Sequence, residues 1–176
     1  MKKLLLSLVL FFVSFCAFAA LTPIQQTTLI AALKISTDPT LAPLVTARDN
    51  VLIADWLNTA STDDAWHEGI VARSLFQASD ITKFDGLTGG KRDAWRLMLD
   101  FTPHDMRINA NRKAVLDVWG ATDAPAVLTK CLRKATRGEV ILGGTTKTTG
   151  TISGLDLNFV GFISVDDVSK AFINNP

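Results

Sequence analysis

Apolar and polar positions alternate with helical spacing over most of the chain, most strongly over residues 124–142, APAVLTKCLRKATRGEVIL. On a helical wheel Leu128, Cys131, Leu132, Ala135 and Leu142 fall on one side, while Lys130, Arg133, Lys134 and Arg137 recur at i, i+3, i+4 and i+7 on the other. The pattern predicts one amphipathic helix, with Asp123 at its cap and Pro125 in the first turn, where a backbone donor would be unpaired anyway. Gly138 and Glu139 run against it. The glycine weakens a helix, and the carboxylate projects onto the apolar face, where burial demands a cationic or backbone partner.

The same reading extends along the chain. Thr22-Pro23-Ile24-Gln25 joins an N-cap threonine, a proline at the first helical position and a capping-box glutamine, which predicts a helix over 23–35. Thr37-Asp38-Pro39-Thr40 breaks the chain, and Leu41, Leu44 and Val45 are expected to pack over that turn. A second helix begins near Asp49, carries Val51, Leu52, Ala54, Trp56 and Leu57, and ends in the polar stretch 58–64. Residues 65–72 fit an extended segment better than a helix, 73–78 a helical turn, and 82–87 a linker anchored by Phe84 and Leu87.

A helix over 91–101 places Ala94, Trp95, Met98 and Leu99 inward, and Pro103 ends it. After a connector at 104–110, a helix over 111–119 stops at Gly120. With 124–142 these make three helices on short turns, which should pack as a bundle. Beyond Leu142 the composition shifts to GGTTKTTGTISG, a β-hairpin or a surface loop, and the apolar run 155–163 is expected to be a strand. Ser164 and Asp167 have capping-box spacing, so Val165–Asn174 should be a final helix with Val168 and Phe172 inward. The expected fold is mainly α: a small helical bundle over 20–142, then an arm and helix over 143–176 with a β-hairpin or strand. An α+β arrangement is the alternative.

Composition changes this picture chiefly at the N-terminus. A chain of 176 residues, 48% of them hydrophobic, suits one globular domain. Part of that apolar content lies in residues 1–20, where Lys2 and Lys3 precede an apolar run and Ala17-Phe18-Ala19 supplies a small-x-small ending. This is the layout of a secretory signal peptide cut after Ala19. An uncleaved anchor and a start site further along, near Leu21, are the other readings. Taking Lys2 and Lys3 from 18 Lys+Arg leaves 16 against 17 Asp+Glu, a formal charge of −1, so global charge does not recommend nucleic acid. Cys131 is then alone, and its place on the apolar side makes it a small core residue.

Candidate chemistry is sparse. Gly86-Leu87-Thr88-Gly89-Gly90-Lys91-Arg92 superficially resembles a phosphate loop, but it is one residue short, and Arg92 stands where a magnesium-binding Ser or Thr is required. His67 and His104 have no partners at metal-ligand spacing, and Asp63, Asp64, His67 and Glu68 lack the carboxylate and glycine spacing of a calcium loop. Ser74, Ser79 and Ser153 sit in no nucleophile elbow. The expectation is a non-enzyme with no cofactor and no metal. The sharpest feature outside the core is the basic stripe, Lys130, Arg133, Lys134 and Arg137, either a face for docking a partner or a face kept soluble by charge. No aromatic residue interleaves it to stack bases, which makes nucleic acid the weaker partner.

Three stretches carry a family resemblance: LTPIQQTTLIAALKISTDPTLAPLV, FDGLTGGKRDAWRLM, and KATRGEVILGGTTKTTGT followed by FVGFISVDDVSKA. Together they resemble small proteins of tailed bacteriophages and prophages met among virion structural genes. The resemblance implies a virion structural or assembly role, in the head-tail or tail region, with other virion proteins or further copies of the chain as partners. It implies no catalytic residues. Residues 1–20 depart from it, because phage structural proteins assemble in the host cytoplasm. A used signal would point instead to a periplasmic or secreted small binding protein.

Overall fold

The structure, a computed structural model, describes residues 20–101 and 103–176. The signal-like segment 1–19 lies outside them. In chain order the first elements are α1 (Pro23–Lys34), α2 (Leu41–Ala47), α3 (Asn50–Leu57), β1 (Ala60–Trp66), α4 (Ala72–Ala78), α5 (Ile81–Gly86) and α6 (Gly89–Asp100). Then come α7 (Asn109–Lys130), β2 (Leu132–Thr136), α8 (Arg137–Ile141), β3 (Gly144–Thr149), β4 (Ile152–Leu157) and α9 (Val165–Asn174).

Both expected capping boxes form. Thr22 Oγ1 accepts the Gln25 amide and Gln25 Oε1 accepts the Thr22 amide at the start of α1. Ser164 and Asp167 do the same for α9, and Asp167 also accepts the buried Leu21 amide at 3.0 Å, tying the two ends of the described chain together. Val168, Ala171 and Phe172 of α9 join Leu29, Ile30 and Leu33 of α1 with Ile53, Ala54 and Leu57 of α3 in one core. Leu41 packs there from a short helix rather than from a turn, because Asp38 Oδ1 accepts the Thr40 and Leu41 amides and starts α2.

The expected 124–142 helix is replaced by three elements. Its first part is the end of α7, whose start lies at Asn109; Gly120, at φ 74°, breaks the helical path without ending the element, so Pro125 sits a turn beyond the kink. Leu132–Thr136 is a strand antiparallel to β1, and α8 then begins afresh with its own capping box, Thr136 to Glu139. Glu139, which contradicted the helical pattern, is the N-terminal signal of this separate helix. The polar stretch 58–64 is also a correction: it holds most of β1, which pairs with β2 on one side and β4 on the other. The 82–87 linker is helix α5, capped by Asp80.

The sheet runs β2-β1-β4-β3, with β1 and β4 parallel and the outer pairs antiparallel. Trp66, Leu132 and Ile152 face a core built by α4, α6 and α7, where Trp95 and Trp119 meet edge to face at 5.4 Å. Ala65, Ala135, Leu155 and Leu157 face Val140 of α8 on the opposite side. The expected 155–163 strand ends at Leu157, and Phe159 and Ile163 continue into the α1–α3–α9 core without regular structure. The described residues therefore form a helix-rich α+β fold with a substantial mixed sheet, not a simple bundle. The boundary expected at 142/143 runs through that sheet, since β1 and β2 precede it while β3, β4 and α9 follow.

Candidate interaction surface

The sheet disperses the four predicted docking cations. Lys130 stays exposed at the end of α7. Arg133 and Lys134 lie on successive positions of β2, so their side chains leave opposite faces of the sheet. Lys134 Nζ reaches Asp64 at 2.9 Å and the Thr62 carbonyl at 2.9 Å. Arg133 turns toward α8, where its guanidinium binds both Glu139 oxygens at 2.8 and 2.9 Å, and its Nε reaches Glu68 at 3.0 Å.

Glu139 is only 2% exposed and accepts two further bonds, from the Thr136 and Gly161 amides. Burial alone would push its carboxyl up, but the Arg133 bonds and those two amides outweigh it and hold the group below its ordinary value. Burial acts likewise on Asp167, where bonds from Ser164 and Leu21 prevail. Both carboxylates therefore add stability that is complete above their unfolded-state values and is lost as pH falls through the lower folded-state values. Acid titration of the folded protein is expected to show its loss of stability beginning near pH 4.5, the ordinary value for Glu139, and Glu139→Gln with Asp167→Asn should flatten that slope. An unchanged slope in the double variant would contradict the assignment.

Arg137, like Lys130, keeps its charge open, and it faces a groove. Its guanidinium lies 4.5 Å above the Trp56 ring and, among the described residues, makes no hydrogen bond or ion pair. It opens on a groove of about 440 Å³ lined also by Asp38, Asp63, Val140 and Ile141. A bulge in β1 between Ala60 and Asp64 pushes the 61–63 segment toward this groove. A second, smaller cleft of about 170 Å³ lies where Phe76, Ile81, Phe84, Trp95 and Leu99 converge, with Phe76 and Ile81 more than half exposed.

A further open surface, within the stretch expected as a β-hairpin or surface loop, is the outer edge of β3. Thr149 and Ile152 flank a two-residue turn with Gly150 at φ 61°, so they form a hydrogen-bonded pair. The bond from the Asn158 amide to the Gly143 carbonyl has the same parity. In an antiparallel ladder such pairs alternate. Thr145, Lys147 and Thr149 therefore bond inward to β4, and the N–H and C=O groups of Gly144, Thr146 and Thr148 point outward. All three outward residues are exposed. The strand contains no proline or bulge and a single charge, Lys147, which leaves it without most of the devices that guard sheet edges.

The remaining candidates settle into structural roles. His67 Nδ1 accepts the Gly69 amide, and His104 contacts the Met98 carbonyl through its ring and pairs with Ile70 through its backbone. Arg112, 2% exposed, is held by the Thr149 hydroxyl, by the Met106 and Arg107 carbonyls and by the Trp66 ring at 4.9 Å. Burial pushes the Cys131 thiol up to about 12, which leaves it a packing group. Among the described residues no cluster of three His, Cys, Asp or Glu could hold a metal, and no helix is long and apolar enough to cross a membrane. No family model, curated protein or solved structure matches the chain.

Proposed function

We propose that the chain is a non-enzymatic structural protein of a tailed-phage particle, placed in the head-tail or tail region and acting through protein-protein contacts. The observation that supports contact most strongly is the outer edge of β3, a row of backbone donors and acceptors, flanked by threonines, that have no partner among the described residues. The phage context rests on the sequence resemblance of residues 21–172. Within the threonine-rich arm and the apolar run that follows it, the ordered part of the run is β4, held between β1 and β3, so the edge open to a neighbour's sheet is that of β3. Nucleic acid is the less suited partner, because Arg133 and Lys134 are already paired with carboxylates.

Mass spectrometry of gradient-purified particles tests this reading. It requires the chain at a fixed ratio to the major structural proteins, and particles that never contain it overturn the proposal. The basic and apolar start of the chain favours a second reading, a periplasmic or secreted small binding protein with the Arg137–Trp56 groove as its ligand site. N-terminal sequencing of that protein from a periplasmic extract should then begin at Ala20.

A further inference from the structure

We infer that the partner of the β3 edge is a second copy of this chain, joined about a two-fold axis at Thr146 to make one eight-stranded sheet. The inference deepens the contact reading above and rests on it for the choice of surface, but not for the phage context.

Register carries the argument. An antiparallel pair about a two-fold axis sets residue i of one copy against residue j of the other at constant i+j. Centred on Thr146, it places Thr146 opposite Thr146 and Gly144 opposite Thr148. Every outward residue of one edge then meets an outward residue of the other. Shifting the centre to Thr145 or Lys147 leaves one outward residue of each copy without a partner. The centred register therefore satisfies all the free groups of Gly144, Thr146 and Thr148 in both copies.

Side chains agree with the same register. Thr146 meets its own copy, a pairing in which hydroxyls can bond across strands. The edge's single charge avoids its like: Lys147 faces Thr145 of the other copy, and Thr145 is paired in its own sheet with Asp156. Lys147 thus points along a row that ends in a carboxylate two strands away, about 10 Å in backbone spacing and within the combined reach of the two side chains. This complementarity occurs twice in the dimer. Gly144 contributes differently, since a Cβ there would lie 2.8 Å from the Asp156 carbonyl; its small size keeps β3 flush against β4 at the end that meets Thr148.

The interface is one strand wide, which places the dimer in the weak, concentration-dependent class. Thr146→Pro separates pairing from folding. The amide it removes points away from β4, and proline is tolerated on an edge strand when its missing donor faces solvent. Sedimentation of the full chain should show a monomer–dimer equilibrium that the variant weakens at least about tenfold, a loss of about 1.4 kcal/mol, while its far-ultraviolet circular dichroism stays that of the parent. As a register check, Thr146→Cys in a Cys16→Ser background should form a disulfide dimer on oxidation, because opposed residues of a hydrogen-bonded pair lie about 5.5 Å apart at Cα. Thr148→Cys in the same background should cross-link far less. A parent that stays monomeric to about 1 mM, or a Thr146→Pro variant that dimerises as tightly as the parent, overturns the inference. A monomer that is nonetheless found in particles refutes self-pairing and leaves the structural role intact, the edge then belonging to a different virion protein.

Discussion

Glu139→Ala is expected to destabilise the fold by about 3 kcal/mol, the lower end of the range for removing one partner of a buried ion pair. The lower end applies because Arg133 keeps Glu68 and its side chain is 21% exposed. The loss spreads over three elements. Without the carboxylate, the Arg133 guanidinium on β2, the Thr136 amide that opens α8 and the Gly161 amide in the segment leading to α9 all lose their acceptor. Urea denaturation followed by circular dichroism measures the change, and Glu139→Gln should fall between parent and alanine because it retains an acceptor for the amides. A change below about 1 kcal/mol, the size of an exposed pair, would mean that water replaces the carboxylate and that the clasp is peripheral.

Gly154→Val should cost at least as much, against the direction of strand propensity, which favours valine. Trp66 explains the reversal. Its indole passes across β4 at Gly154 and donates to the Lys147 carbonyl of β3 at 2.9 Å. A Cβ on Gly154 would lie 2.5 Å from Leu132 Cδ2 and 3.2 Å from Trp66 Nε1. The substitution therefore adds overpacking, about 1–3 kcal/mol, to a buried donor left unpaired, about 1–3 kcal/mol more. Thermal unfolding monitored by near-ultraviolet circular dichroism should show a lowered midpoint and an altered tryptophan signal. An unchanged midpoint would show that Trp66 can leave this site freely.

Local signals were legible where one residue type has one local job. The Thr22–Gln25 and Ser164–Asp167 boxes, the helix start near Asp49 and the inward place of Trp95 on α6 all stood in the sequence, because capping and helical amphipathicity are settled within a few residues. The sheet was harder to read because its central strand β1 is mostly polar at the start, ASTDDAW, and becomes a strand only through β2 and β4. That long-range pairing also converts 132–136 from the apparent middle of a helix into an edge strand. Glu139 contained the clue. A carboxylate three residues after Thr136 marks a helix start, and a helix starting there cannot continue one from Asp123.

The candidate site followed the same division. The basic stripe reads in sequence as one face, open to a partner or to water, but Arg133 and Lys134 find partners inside the fold, on segments more than sixty residues earlier: Glu68, and Asp64 with the Thr62 carbonyl. Only Arg137 kept an open guanidinium. The β3 edge gave no residue-level signal, since it consists of backbone groups whose direction depends on register. GTTKTT showed that a hairpin could form, not which side of it would stay unpaired.

Hydrogen exchange at single-residue resolution along β3, followed as the full chain is concentrated, tests the central claim most directly. Thr145, Lys147 and Thr149 amides bond to β4 and should exchange slowly at every concentration. Gly144, Thr146 and Thr148 amides should exchange rapidly in dilute solution and slow together as the chain associates, giving a period-two pattern that fades into uniform protection. Association that leaves those three amides fast, or slows residues elsewhere while sparing them, would contradict the account.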